Sequence, residues 1–215
     1  MTRIPFPSMT YPTIAILRGL KPTEAEAVVG ALLETGFRAI EIPLNSPDPF
    51  RSIEMAVKMA PEGALIGAGT MLTVEDVDRL ADVGGTLMVS PNVEPAVISR
   101  AAEKGMVTMP GVFTPTEALA AARAGATGLK FFPASVLGPS GIQAIRAVLP
   151  PELEIAAVGG VSEKDFASYA AVGIRSYGLG SSLYKPGMGA ADVRARAEAT
   201  LAAYDAAYGT SRSMP

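Results

Sequence analysis

Six lysines occur in the 215-residue chain, and only Lys130 stands inside an apolar run, ATGLKFFPA, flanked by Leu129, Phe131 and Phe132. An amine in such surroundings loses hydration, which disfavours its charged form. An ordinary lysine, with a pKa of about 10.4, is uncharged in roughly one molecule in 2500 at pH 7. Tuning to about 7–8, as catalytic lysines show, raises that fraction on the order of a thousandfold. A neutral amine attacks a ketone or aldehyde and forms an iminium. The same position also suits a lysine that ends a strand and snorkels to solvent. Glu41 is placed comparably, within AIEIPL. Burial there raises a carboxyl pKa into the range where it trades protons; the alternative is a structural ion pair with Arg18 or Lys130. The pair is more specific than either member, because iminium chemistry needs a nucleophilic amine beside a proton carrier.

Composition narrows the field further. The chain has no Cys, His or Trp. Thiolate nucleophiles, disulfides and thiolate zinc sites are excluded, as are the usual general base near pH 7 and the commonest metal ligand. Basic residues number 18 and acidic ones 21, for a net charge of −3, with no Lys/Arg cluster of the kind that binds nucleic acid. The longest uncharged stretch, 131–145, is too short and too broken by Pro and Gly to span a membrane. The N-terminus MTRIPFPSMTYP lacks the apolar core of a signal peptide, so a cytoplasmic protein is expected. Charged residues make up 18%, below the typical figure of about 25%, which suggests surface buried in an oligomer.

The elements that must position Lys130 and Glu41 recur along the chain. Apolar, β-branched runs lie at 13–17, 37–44, 64–69, 86–90, 106–109, 127–132, 154–159 and 174–180. Most lack polar alternation, as parallel strands covered on both faces do. Between them lie helical patterns: Val28, Val29, Leu32 and Leu33; Val74, Val77 and Leu80; Ile142, Ile145, Val148 and Leu149. Helix starts are marked by Thr23 with Glu26, Thr73 with Asp76, Thr114 with Glu117 and Ser162 with Asp165, and by Ser46–Pro47 and Thr114–Pro115. Helix ends are marked by Gly36, Gly84, Gly105, Gly125 and Gly173. Eight strands separated by helices predict an α/β fold, a single-domain (β/α)8 TIM barrel over 13–205. A lead-in over 1–12 precedes it, and a C-terminal tail over 206–215 is expected to fray. An open doubly wound sheet is the alternative, but RGLKPTE after the first strand is no dinucleotide fingerprint.

In a barrel of this kind the active site lies at the C-terminal ends of the strands. Those ends present Arg18, Glu41 with Asn45, Gly69-Thr70, Ser90-Pro91-Asn92, Pro110-Gly111, Lys130, Gly159-Gly160 and Gly180-Ser181. The glycine-containing turns after the seventh and eighth strands suit phosphate held by backbone N–H groups; simple turn chemistry is the bland reading. Arg18 is a fork for a carboxylate or phosphate, or an ion-pair partner across the mouth. Thr70 and Ser90 suit a hydrogen bond to substrate or a loop cap.

The segments AILRG (15–19), EIPLNSP (41–47), IGAGT (66–70), SPN (90–92), LKFFP (129–133), VGGV (158–161) and GLGSSLY (178–184) together resemble the 2-keto-3-deoxy-6-phosphogluconate and -6-phosphogalactonate aldolase family. The likeness covers about 11 to 205. It implies a class I aldolase without metal or cofactor, usually a homotrimer, that cleaves a phosphorylated 2-keto-3-deoxy sugar acid to pyruvate and D-glyceraldehyde 3-phosphate. It makes Lys130 the Schiff-base lysine and Glu41 the acid/base, with Gly159, Gly160, Gly180 and Ser181 on the phosphate. Pro43-Leu44-Asn45-Ser46, where the gluconate branch has Thr-Leu-Arg-Thr, and Val158, where it tends to have Thr, resemble the galactonate branch. The missing Arg leaves Arg18 and the Thr70 region as candidates for the carboxylate. The gluconate epimer as substrate, a phosphosugar epimerase or isomerase, and a non-catalytic phosphosugar-binding protein are the competing expectations.

Overall fold

A computed structural model of the chain describes residues 3–209. In it, nine parallel strands alternate with eight helices. They run β1 Thr13–Ile16, α1 Pro22–Thr35, β2 Ala39–Pro43, α2 Pro49–Met59, β3 Leu65–Gly69, α3 Val74–Asp82, β4 Leu87–Val89, α4 Pro95–Glu103 and β5 Val107–Met109. The second half continues with β6 Gly111–Val112, α5 Pro115–Arg123, β7 Gly128–Phe131, α6 Ala134–Arg146 (bent at Gly138), β8 Glu154–Val158, α7 Phe166–Ala170, β9 Ser176–Leu179 and α8 Ala190–Tyr208. All eight expected strands are present. The ninth, β6, continues the fifth beyond Pro110, which has no N–H to give to a ladder.

That proline makes the seam of the barrel. The strand order is β5-β4-β3-β2-β1-β9-β8-β7-β6, so the two halves of one bent strand form its two ends. Between β5 and β7 the hydroxyls of Thr108 and Thr127 replace ladder carbonyls. Thr108 N–H donates to Thr127 Oγ1 at 3.1 Å and Thr127 N–H donates to Thr108 Oγ1 at 2.9 Å. Just above them Lys130 N–H donates to the Pro110 carbonyl at 3.0 Å.

The strands divide the apolar side chains into two sets by their period of two. The larger set, with Leu17, Ile40, Ile42, Leu129 and Phe131, packs between sheet and helices. The smaller set, with Ile14, Ile16, Ala39, Leu65, Leu87, Val89 and Ala156, packs inside the barrel, where the N-terminal segment adds Ile4, Phe6 and Met9. By parity with Ala39 and Ala156, Glu41 on β2 and Lys130 on β7 belong to the inner face; Lys130 pairs in register with Ala156.

Several helix signals stand as read. Thr73, Thr114 and Ser162 cap with their hydroxyls, the last on a 3-10 turn over Glu163–Asp165. Gly36, Gly84, Gly105, Gly125 and Gly173 all have positive φ. Others differ. Helix α1 starts at Pro22, with Glu24 accepting from Lys21 N–H, so the Thr23–Glu26 spacing lies inside the first turns. Helix α2 starts at Pro49 rather than Pro47; the Ser46 hydroxyl instead accepts from Gly19 N–H at 2.9 Å and ties two rim loops together. Val148, beyond the end of α6, is exposed, unlike Ile145 and Leu149 of the same expected face.

The C-terminal boundary also moves. Helix α8 runs through Tyr208 before Gly209 ends it, so the expected tail begins as packed helix, and 210–215 lie outside the described residues. Tyr208 earns its order by packing: its ring centroid is 4.3 Å from that of Tyr204, and its hydroxyl bonds the Tyr177 hydroxyl and the Ile174 carbonyl. Tyr208→Ala is therefore expected to lower unfolding free energy by about 1–3 kcal/mol. Urea titration checks this, and an unchanged midpoint would show that the last turn contributes nothing.

Candidate active site

Glu41 and Lys130 are the only charged side chains fully buried among the described residues, at 2% and 7% exposure. Each occupies an inward position of a strand whose other inward residues are apolar. Burial is the largest influence on both. It pushes the Glu41 carboxyl up to about 7, with the Lys130 and Arg18 charges pulling back down. It pushes the Lys130 amine below the ordinary lysine range, with Glu41 opposing and Arg18 assisting. Glu41 Oε2 has no hydrogen-bond partner among the described residues. The two groups thus feel each other electrostatically without being locked in a hydrogen-bonded ion pair. The Lys130 amine lies 4.8 Å from the centroid of the Phe132 ring, which walls one side of the site.

A cavity of about 770 Å³ opens above them at the C-terminal ends of the strands. Arg18, Thr70, Lys130, Gly159, Gly160, Gly180 and Ser181 all line it. Arg18 turns its guanidinium to Asn45, Nη1 donating to Oδ1 at 2.8 Å, rather than to Glu41. Thr70 holds a left-handed backbone, φ 57°, unusual for a β-branched residue and characteristic of strained rim positions. Ser90 takes the loop-cap alternative: its hydroxyl donates to the Asn92 carbonyl at 2.8 Å.

The two glycine turns differ in why glycine is there. Gly159 and Gly160 have φ of 90° and 71°, and a Cβ on either would strike Phe132 at 2.8 Å or the Ser135 hydroxyl at 2.4 Å. Gly180 meets nothing within 4 Å, so its missing side chain leaves cavity space rather than avoiding a clash. Leu183 and Tyr184 N–H both donate to the Gly180 carbonyl at 2.9 Å and close a tight turn.

Other residues at the site carry weaker sequence signals. Gly69 stands beside the carboxyl: a Cβ there would lie 1.5 Å from Glu41 Oε2. A glycine at an inward strand position was its only trace. Ser162, Ser182, Tyr184 and Lys185 also line the cavity. Tyr184 is buried and its hydroxyl donates to Glu24 at 3.4 Å; burial first, then Glu24, pushes its pKa up to about 12.

The arrangement offers a desolvated amine, a buried carboxyl whose proton affinity is raised, and a cavity edged by glycine turns. This is a βα-barrel enzyme whose cavity lies at the C-terminal ends of the strands, the usual place for an active site in the fold. The chain belongs to the KDPG and KHG aldolase family, whose model matches residues 9–199. It is 82% identical over 209 residues to a probable 2-dehydro-3-deoxy-6-phosphogalactonate aldolase of Rhizobium meliloti, covering 97% of this chain and 99% of that one. It is 48% identical to the 2-dehydro-3-deoxy-6-phosphogalactonate aldolase of Escherichia coli K12, covering 90% and 94%. A solved structure described as native KDPGal superposes with a TM-score of 0.91 at 46% identity, covering 94% and 98%. The protein is an aldolase, a carbon–carbon lyase.

The Glu41 shift has a stability consequence of definite sign. Its folded pKa, about 7, lies above the unfolded value of 4.5. Between those values the folded state binds more protons than the unfolded state, so this group's contribution declines as pH rises from about 4.5 to 7. The total is about 3 kcal/mol. Glu41→Gln is expected to remove that share of the slope and to exceed the wild type in stability at pH 8. Denaturant titrations of both proteins from pH 5 to 8 measure it; a difference independent of pH would contradict it.

Proposed function

We propose that the protein cleaves 2-dehydro-3-deoxy-6-phosphogalactonate to pyruvate and D-glyceraldehyde 3-phosphate as a class I aldolase, with Lys130 as Schiff-base lysine and Glu41 as acid/base. The observation that carries this reading is the pair of buried, oppositely shifted groups on the inner face of β7 and β2. A phosphosugar epimerase built on paired carboxylates is disfavoured, since Glu41 has no second buried carboxyl beside it among the described residues.

The proton traffic closes on these two groups. Neutral Lys130 adds to the C2 ketone, and protonated Glu41 gives its proton to the departing hydroxyl, leaving an iminium, water and a carboxylate. Glu41 then takes the C4 hydroxyl proton. The C4–O electrons form the aldehyde, the C3–C4 bond breaks, and its pair flows into the iminium to give an enamine. Glyceraldehyde 3-phosphate departs. Glu41 returns the proton to C3, and water hydrolyses the new iminium to pyruvate with both groups restored. A carboxyl near pKa 7 suits a group that must give and take a proton in one cycle.

The ends of the substrate would be held apart from the chemistry. Arg18 and the Thr70 region are the candidates for the carboxylate. The turns at Gly159-Gly160 and Gly180-Ser181 are the candidates for the phosphate, fixing the reacting carbons over Lys130. The names of the relatives support the galactonate epimer, as do Asn45 and Val158 at the two branch positions. A homotrimer is supported by the low charge content and by the exposure of Phe113 and Val136. No helix among the described residues is long and apolar enough to cross a membrane, which fits action on a phosphorylated substrate in the cytoplasm.

Borohydride with pyruvate is expected to fix a three-carbon adduct on Lys130, located by peptide mass spectrometry, and Lys130→Met is expected to lose at least about a thousandfold in cleavage rate. An unlabelled Lys130 would sink the Schiff-base role. Separately, a coupled pyruvate assay should give the 6-phosphogalactonate epimer a kcat/KM about tenfold or more above the gluconate epimer. Equal values would remove the epimer preference and leave the reaction class standing.

A further inference from the structure

The turn after β9 is braced from outside the cavity. Gly180–Tyr184 folds so that Ser181 and Ser182 form its tip, and both line the cavity. Behind the tip, in the second turn of α8, lies Arg196. Its Nη1 donates to the Ser181 carbonyl and to the Ser182 carbonyl, each at 3.3 Å. Arg194, two residues earlier on the same helix, is paired with Glu34, whereas no carboxylate pairs with Arg196 among the described residues. One arginine of α8 thus directs its donors at two main-chain oxygens of a single turn rather than at a carboxylate.

The geometry of the peptide group gives this a consequence. A trans peptide sends its C=O and N–H to opposite sides. The Ser181 carbonyl shares a peptide with the Ser182 N–H, so holding the oxygen toward α8 directs that N–H away from α8, to the cavity side. No acceptor among the described residues takes the N–H of Ser181 or of Ser182. The Ser182 hydroxyl is buried and likewise has no partner. Most buried polar groups are paired, so the unpaired Ser182 hydroxyl at the cavity wall, beside two N–H groups free of protein acceptors, points to an acceptor-rich ligand. A guanidinium behind the same turn adds a positive potential of the right sign for an anion.

We propose that Arg196 is a positioning residue for the phosphate end of the substrate. It clamps the Ser181 and Ser182 carbonyls so that the donors at the tip face the anion, and its charge sits behind them. This rests on the reading that the Gly180–Tyr184 turn takes the phosphate. A residue that merely fastened α8 to the barrel would affect every substrate alike.

Steady-state kinetics with the phosphorylated sugar acid and with its dephosphorylated analogue separate these roles. Arg196→Met is expected to raise KM for the phosphorylated substrate about tenfold, a loss the size of one hydrogen bond to a charged group. It should weaken competitive inhibition by inorganic phosphate by about the same factor. The expected change in kcat/KM for the dephosphorylated analogue is below about twofold. Arg196→Lys, which keeps the charge and loses the planar fork, is expected to recover part of the loss. If the Met variant does not fold, the Lys variant and Arg196→Gln carry the comparison. A parallel decline on both substrates, or an unchanged KM for the phosphorylated one, overturns the proposal. If the wild type itself treats both substrates alike and ignores inorganic phosphate, the phosphate reading of the turn fails; if the wild type discriminates and the variants discriminate equally, only the role of Arg196 fails.

Discussion

The structure turns on the burial of one amine and one carboxyl at inner positions of the barrel without a direct hydrogen bond between them. In water each would be charged at neutral pH. Here desolvation moves Glu41 up to about 7 and Lys130 down, while their mutual attraction opposes both shifts. Burial thereby narrows the gap that in water favours the ion pair over the neutral pair, the direction that suits a proton carrier. Exposed pairs on the same protein behave otherwise. Glu54 beside Lys58, at 2.7 Å, and Asp78 beside Arg100, at 2.8 Å, are held below the usual carboxylate range by their partners. Distance and hydration, not residue type, separate a surface ion pair from a reactive couple.

Much of the backbone follows from keeping that couple in place. The Lys130 backbone is tied on both flanks, to β8 through its register with Ala156 and to the bent strand through the Pro110 carbonyl. The ladder breaks at Pro110 because proline has no donor, and Thr108 and Thr127 repair it with hydroxyls one layer lower. A seam placed here leaves the β7 inner face unobstructed. On the opposite wall β3 leaves off its side chain at Gly69, and the Glu41 carboxyl occupies the vacated volume.

Which of these features the sequence discloses depends on whether the cause is local. Strands show as apolar runs because both faces of a parallel barrel strand are buried. Thr73 and Thr114 show because a cap and its acid lie within one turn of each other. Lys130 and Glu41 show because a charge inside an apolar run is conspicuous. The failures have non-local causes. At α1 two three-residue spacings compete, and Pro22 favours the earlier start, since its fixed φ suits the first helical position. Ser46 looks like a cap but serves a neighbouring rim loop at Gly19. Tyr208 looks like frayed tail until Tyr177 and Ile174, more than thirty residues earlier, give its hydroxyl partners. Gly69 is defined by a side chain on another strand, and Arg196 by main-chain oxygens that have no sequence signature.

The cavity lining mixes apolar and polar groups, and this bears on which configuration at C4 the proposed substrate would need. Ile16, Val158 and Phe132 line it together with Arg18 after β1 and the glycine turns after β8 and β9. Val158 is seated closely: a Cβ on Gly178 would come within 2.8 Å of it. An apolar surround desolvates Lys130 and lowers the affinity of its amine for a proton. It also leaves position 158 unable to hydrogen-bond a hydroxyl of either configuration. A valine rejects a misplaced hydroxyl by shape and desolvation, which is weaker discrimination than a site built to hydrogen-bond the correct one. On the proposed reading, configurational preference would arise where donors exist, at Arg18 and the glycine turns, by fixing the chain of carbons so that only one orientation of the C4 hydroxyl reaches Glu41.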